Sequence, residues 1–252
     1  MFHLTLLLSP PNGSVTQEFL ESLKSQTAAI EKSIASVNTA TANLKSYNEQ
    51  NSYAVGEEVQ RLSGQIQQVI KDGVGQAARG KSLLDALKKE GETLMANKET
   101  KQSERIVLLK AKYTRLCKEY VDAMKEHQKA KESMRKTQMD SVVRQVSKLP
   151  NFAGKSESEV RRKVEESGGD AASFLKDALV EEAADEAQDA YREAQSKAKD
   201  IDMLVRSIAE VASMFQDLAV LIQHQTETLD SIERNVDQAG NFVRKGNKAV
   251  ST

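Results

Sequence analysis

One pattern near the C-terminal end constrains the fold of this chain more than any other feature. From Ile201 to Val250, apolar residues recur in alternating steps of three and four, and the alternation never slips over seven heptads. Such a repeat predicts an α-helix whose apolar stripe packs against other helices in a left-handed supercoil. Of its fifteen positions, fourteen are apolar or glycine and one, Gln225, is polar. The fourteen are Ile201, Leu204, Ile208, Val211, Phe215, Leu218, Ile222, Leu229, Ile232, Val236, Ala239, Val243, Gly246 and Val250.

The polar position at the centre of this stripe has two interpretations. A single polar residue in a coiled-coil core can fix the register and the choice of partner, at a cost in stability. The simpler interpretation is an ordinary dimeric coiled coil that tolerates Gln225. The heptad pattern alone leaves both open.

Three more amphipathic patterns lie upstream, and each has apolar residues spaced along one helix face. A helix begins near Ser14 or Thr16 and reaches a polar break at residues 48–52, and two others follow over residues 55–94 and 106–146. The chain has no Trp, three Pro and 4% aromatic residues, a composition that argues against a sheet protein. We therefore predict an all-α fold with an antiparallel three-helix bundle and a long C-terminal helix.

Glycines weaken the second of these patterns. Gly73, Gly75 and Gly80 fall within one short stretch, and an interior glycine costs a helix about 1 kcal/mol relative to alanine. We expect one helix here that kinks or frays between residues 72 and 80.

The segment after Pro150 reads as a linker. A short helix over residues 156–166 is predicted there, and after Asp170 a polar, acidic helix runs without Pro or Gly into the heptad region. Val160, Val164 and Phe174 are apolar side chains in polar surroundings. We predict that these three side chains form a latch against the bundle.

The local sequence around Gln225 resembles the SNARE motif of the syntaxin family. The family pattern has a Phe, an Asp-x-Ala, a central Gln and an Ile-Glu-x-Asn-Val, and about fifty residues of this chain follow it. The matching residues are Phe215, Asp217-Leu218-Ala219, Gln225 and Ile232-Glu233-Arg234-Asn235-Val236. The three upstream helices resemble the N-terminal Habc bundle of the same family. On this resemblance the expected domains are an N-terminal tail at 1–13, the Habc bundle at 14–149, the linker at 150–190 and the SNARE motif at 191–252.

The resemblance also implies a function. A Qa-SNARE assembles with R-SNARE and Qb/Qc-SNARE helices into a four-helix coiled coil that docks and fuses vesicles with a target membrane. Gln225 would occupy its central layer with two other glutamines and one arginine, whose five N–H donors three amide carbonyls can accept. An SM-family (Sec/Munc-like) regulatory protein and a closed conformation are implied as well.

Membrane attachment is expected through a C-terminal anchor that this chain does not include. The chain ends at Thr252, shortly after Arg244, Lys245 and Lys248. Family members continue into a transmembrane segment, so we expect the cytosolic face of a membrane, the plasma membrane, as the location. Gly246, at a stripe position, should weaken packing near that membrane.

Other classes of function find little support. The net charge of −1 provides no electrostatic footprint for nucleic acid, and His3, His127 and His224 are too scattered for a zinc site. We expect no enzymatic activity, no cofactor and no metal, and a buried Cys117. The alternative to a SNARE is a structural or BAR-like dimeric coiled-coil protein that binds membranes.

Overall fold

The chain is helical throughout the part that the structure describes. A computed structural model describes residues 15–54, 56–96, 104–147, 152, 154–166 and 185–223, with the side chains of 164–166, 185–191 and 216–223 left aside. Five helices lie in these ranges, and none of the five is long and apolar enough to cross a membrane. They are α1 Gln17–Asn51, α2 Glu57–Ala96, α3 Glu104–Val146, α4 Glu157–Glu166 and α5 Asp185–Gln223.

Side-chain caps define where two of the helices begin. The Phe19 N–H donates to Thr16 Oγ1 over 3.3 Å, so α1 starts just after the predicted threonine. At the start of α4, the Glu159 N–H donates to Ser156 Oγ over 3.3 Å, and the Ser156 N–H donates to Glu159 Oε2 over 2.9 Å. This reciprocal pair is a capping box, which satisfies two donors that a helix start would otherwise leave free.

Helices α1, α2 and α3 run antiparallel to their neighbours along the chain. Early α1 meets late α2, where Gln26 Nε2 donates to Glu90 Oε2 over 2.8 Å, whereas Leu44 near the end of α1 shares a core with Leu62 of early α2. The prediction of an antiparallel three-helix bundle is therefore confirmed. The expected break at residues 48–52 is displaced, because α1 continues through it to Asn51, which is buried.

Contacts divide the chain into two compact units. Within the described part of the chain, the first contains residues 15–34, 79–96, 104–121 and 216–223. Its described core is built from the apolar stripes of α1, α2 and α3, and Cys117 is buried there as predicted. The largest fully buried side chains of this core are Ile30, Leu84, Leu87, Leu109, Leu116 and Tyr120.

The described residues of the second unit are 35–54, 56–78, 122–147, 152, 154–166 and 185–215. Here the long helix α5 joins the three helices of the bundle, and a single apolar cluster draws on all four. The cluster consists of Leu44, Leu62, Ile66, Ile70, Ala130, Met134 and Leu204.

The glycine-rich stretch of α2 is an uninterrupted helix, so the expected kink or fraying is wrong. A methyl group at Gly73 would lie 2.7 Å from His127 Nε2, and one at Gly80 would lie 2.6 Å from Tyr120 Cε2. Both distances are too short for any side chain, so these glycines allow α3 to approach α2 closely. Tertiary packing outweighs the low helix propensity of glycine here.

Candidate functional site: the face of α5 that lies on the bundle

The first half of the predicted C-terminal stripe is packed within the second unit. Ile201, Leu204 and Val211 are at most 1% exposed, and Ile208 and Phe215 are half-buried. The Lys125 ammonium group lies 5.7 Å from the centroid of the Phe215 ring, a cation–π distance. These five side chains therefore have helices of the same chain as their neighbours.

The side chains of the remaining predicted layer residues lie outside the described part of the chain. Leu218 and Ile222 belong to α5, with their side chains outside the described part of the chain. Gln225 and the seven layer residues after it also lie outside the described residues. These seven are Leu229, Ile232, Val236, Ala239, Val243, Gly246 and Val250.

Of the three predicted latch residues, one has a described side chain. Val160 is completely buried in α4, and the neighbouring Arg161 forms an ion pair with Asp140 of α3. Val164 lies in α4 but its side chain is outside the described part, and Phe174 lies outside the described residues. The latch stays a prediction for all three positions.

A row of buried polar side chains lies beside the apolar stripe of α5. We use the name polar seam for Lys197, Asp200 and Ser207 together with their hydrogen-bond partners on α2 and α3. Asp200, which is 1% exposed, accepts hydrogen bonds at Oδ1 from Ser63 Oγ over 2.7 Å and from Gln67 Nε2 over 2.9 Å. Its Oδ2 accepts from Gln138 Nε2 over 3.2 Å. One carboxylate of α5 thus accepts hydrogen bonds from both α2 and α3.

Two lysines complete the polar seam. Lys197 Nζ donates to Ser141 Oγ over 2.6 Å, and Lys131 Nζ of α3 reaches the Ser207 carbonyl oxygen of α5 over 3.4 Å. Both lysines are almost fully buried, at 3% and 0% exposure. Successive contacts pair residues of α5 with earlier residues of α3, so the two helices run antiparallel.

Glu193 joins the start of the docked helix to two other elements. Its Oε1 accepts the Gly56 N–H over 2.8 Å in the turn between α1 and α2, and its Oε2 accepts from Gln145 Nε2 of α3 over 2.8 Å. Gly56 has φ of +60°, a left-handed conformation that glycine adopts without strain.

Burial shifts the ionisation of the polar seam. It raises the pKa of Asp200 to about 6, although hydrogen bonds from Gln67 and Ser63 and the charge of Lys197 oppose that shift. It lowers the pKa of Lys131 to about 8, against the attraction of Glu210, and also lowers the pKa of Lys197. In each case burial disfavours the charged form, so the charges in the polar seam work against docking of α5.

His127 is a buried polar residue of the same unit, and it has a structural role. Its Nδ1 lies 2.9 Å from Thr41 Oγ1, and its ring packs against Gly73. Burial and the charge of Lys131 lower its pKa to about 3, so the imidazole is neutral at physiological pH. The ring fills the space that Gly73 leaves between α2 and α3.

Sequence reasoning found the stripe but missed the polar seam. Asp200 and Ser207 flank the heptad positions, where a polar residue is ordinarily exposed to solvent. Lys197 does lie on the stripe, since it precedes Ile201 by four residues. Extending the heptads upstream would have identified this lysine as a second polar residue in the series.

Comparisons with known proteins agree with the fold. The syntaxin family model matches residues 17–179, and the SNARE domain model matches residues 192–252. A chain of the crystal structure of the Unc18–syntaxin 1 complex from Monosiga brevicollis is similar, with a TM-score of 0.69 at 19% identity. The alignment covers 87% of this chain and 90% of that one, which shows a shared fold.

Curated relatives extend the comparison along nearly the whole sequence. Syntaxin-111 of Oryza sativa subsp. japonica is 26% identical over 254 residues, or 95% of this chain and 77% of the rice protein. Syntaxin-122 of Arabidopsis thaliana is 35% identical over 80 residues, a match that spans 32% of this chain and only 24% of that relative. The family model covers 163 of 252 residues, from the first residue of α1 into the linker, and a SNARE domain follows it, so this chain belongs to the syntaxin family.

Proposed function

We propose that this chain is a Qa-SNARE that switches between a closed state, with α5 docked on α1–α3, and an open state in which α5 joins three partner helices. The partners are an R-SNARE and Qb- and Qc-SNARE helices, and the assembled coiled coil docks and fuses vesicles at a target membrane. The chain has no catalytic role in this proposal. Its site of action is the cytosolic face of the plasma membrane.

The observation that carries the proposal is that the apolar stripe predicted to pack against partner SNARE helices is the stripe of α5 that packs against the bundle. Ile201, Leu204 and Val211 are the layer residues predicted for the four-helix complex, and they are the residues buried against the bundle. A side chain that is fully buried in one packing arrangement is unavailable to another. Docking and assembly therefore compete for the same face of α5.

Membership of the syntaxin family supports this function. Syntaxins are non-enzymatic SNARE proteins of vesicle transport and membrane fusion. That membership favours a SNARE over a BAR-like dimer. An SM-family protein is a proposed regulator, because the similar chain from Monosiga brevicollis was solved in a complex of Unc18 with syntaxin 1.

Assembly kinetics test the competition between the two states. Met134 of α3 is completely buried in the cluster that holds Leu204, whereas the adjacent Arg135 is exposed. Met134→Ala should weaken the docking of α5 without altering the SNARE motif, and should therefore speed formation of the complex with partner SNARE motifs. Arg135→Ala is the matched control and should leave the rate unchanged.

Two outcomes would contradict the proposal. Failure to form any heat-resistant complex with Qb-, Qc- and R-SNARE motifs would remove the SNARE function itself. Equal assembly rates for the wild type and Met134→Ala would remove the closed state from the mechanism while leaving the SNARE function intact.

A further inference from the structure

Asp200 is a buried carboxylate whose immediate partners are all neutral. Helix α2 presents the hydroxyl of Ser63 and the amide of Gln67 to it, and α3 presents the amide of Gln138. The charged group that acts on it is Lys197 of its own helix, whose Nζ donates to Ser141 Oγ. An ionised carboxylate in such a site loses its hydration, and the hydrogen bonds from uncharged groups together with the attraction of Lys197 do not compensate for that loss.

A proton on Asp200 would remove this charge and keep every contact. A hydroxyl can accept as well as donate, so Ser63 Oγ, 2.7 Å from Asp200 Oδ1, can accept an O–H from the carboxylic acid. Gln67 and Gln138 can continue to donate to lone pairs that the acid form retains. The same geometry therefore suits both protonation states, but only one of them buries a charge.

We propose that Asp200 is a proton switch: protonation of its carboxyl group favours the docked state of α5, and ionisation favours release. One consequence of the proton switch, that mild acidification slows SNARE assembly, rests on the proposed function. The docking step itself occurs within this chain and can be measured without any partner.

The sign of the effect follows from linkage. The pKa of Asp200 is about 6 when α5 is docked, above the ordinary aspartate value of 3.8 expected once α5 is released into water. The docked state therefore binds more protons between these two values, and docking strengthens as the pH falls through 6. From pH 7.5 to pH 5 the docking equilibrium constant should rise about tenfold.

Two other buried titrating groups of the same unit have pKa values outside this window. The pKa of Lys131, which faces Ser207 farther along α5, is about 8, and the pKa of His127 is about 3. The pKa of Lys197 is lowered by burial, and the neighbours that act on it are Glu193, Arg144 and Asp200. Between α1 and this part of α5 the adjoining core is apolar, with Leu44 beside Leu204.

Distance measurements on the full chain test the proton switch at Asp200. Fluorophores on Gln68→Cys in α2 and Ala209→Cys in α5, both exposed positions, would report docking by energy transfer. The native Cys117 is buried and burial raises its pKa to about 11, so it should resist labelling. We expect the docked fraction to rise as the pH falls, with the rise beginning near pH 6.

Three variants identify the group responsible. Asp200→Asn should abolish the pH response and dock more tightly than the wild type at pH 7.5. Asp202→Asn, the matched control two residues away, should respond as the wild type does. Ser63→Ala should move the start of the rise to higher pH, because a charged acceptor gains more from a donor than a neutral acceptor does.

A pH-independent docked fraction in the wild type would overturn the proton switch, as would a response that persists unchanged in Asp200→Asn. The proton switch would also be overturned if Ser63→Ala left the pH dependence of the docked fraction unchanged. None of these results depends on partner SNAREs, so the proton switch can fail while the proposed SNARE function stands. Failure to form a complex with partner SNAREs at any pH would contradict the SNARE function and leave the proton switch standing.

Discussion

Replacement of Lys131 by methionine should stabilise the docked state of α5. The side chain is completely buried, and its hydrogen bond to α5 is a long one, 3.4 Å from Nζ to the Ser207 carbonyl oxygen. That carbonyl belongs to a continuous helix, where the N–H four residues later is its regular partner. Methionine has a similar length and no charge, so Lys131→Met removes a buried ammonium group without leaving a large cavity.

The magnitude follows from the shift in ionisation. The pKa of Lys131 is about 8 in the docked state and 10.5 in water. The difference corresponds to about 3 kcal/mol against docking at pH 7, where the ammonium group is charged in both states. That value already includes the attraction of Glu210, and the lost hydrogen bond to Ser207 offsets part of the gain, so we expect a net stabilisation of about 1–3 kcal/mol.

Urea denaturation of the full chain at pH 7 measures this difference. Lys136→Met, an exposed position on the same helix, is the control and should change the free energy of unfolding by less than about 0.5 kcal/mol. In the wild type, stability should increase as the pH rises through 8 toward 10.5, because the buried ammonium group then loses its proton. Lys131→Met should reduce that increase.

The reasoning would be refuted by a Lys131→Met chain that unfolds at lower urea than the wild type. Such a result would mean that the ammonium group contributes more through Ser207 and Glu210 than its burial costs. Slower assembly with partner SNAREs is a second expectation for this variant. It depends on the closed state, whereas the denaturation result does not.

Further substitutions test other parts of the structure. Gly80→Ala should destabilise the chain by about 1–3 kcal/mol in thermal or urea denaturation, because the added methyl group would meet the Tyr120 ring, and a neutral or positive effect would contradict this. Gly64→Ala, which has open space around it, should stabilise the chain by up to about 1 kcal/mol in the same experiment. Val160→Ala should speed assembly with partner SNAREs if α4 acts as a latch, and stopped-flow fluorescence showing an unchanged rate would remove α4 from that role. Gln225→Arg should lower the melting temperature of the four-helix complex, and an R-SNARE carrying Gln in place of its arginine should restore it, an exchange that a generic polar core position would not favour.

The helices could be predicted from the sequence because their apolar stripes follow a simple period. The boundaries at Thr16 and Val146 agree with the structure to within a residue or two, since capping groups and proline act locally. The glycines of α2 misled the prediction for a physical reason. Propensity describes an isolated helix, whereas Gly73 and Gly80 lie where a second helix comes too close for any side chain.

The polar seam could not be predicted in the same way. Whether Asp200 is buried depends on which residues of α2 and α3 lie opposite it, and neither helix signals this in its own sequence. Ser63, Gln67 and Gln138 are polar residues of amphipathic helices, and their ordinary location is the solvent-facing side. Only the packing of the fourth helix turns them into partners of a buried carboxylate.

The contact between Gly56 and Glu193 has a consequence for how this protein tolerates sequence change. The donor at position 56 is a backbone N–H, which nearly every amino acid carries, and a Cβ added there would meet open space. Asparagine, which accepts the left-handed conformation, could replace this glycine with little loss, whereas proline would remove the donor. At φ of +60° most side chains would strain the backbone, so substitution at position 56 is limited by conformation, whereas the hydrogen bond itself depends on the acidic side chain of Glu193.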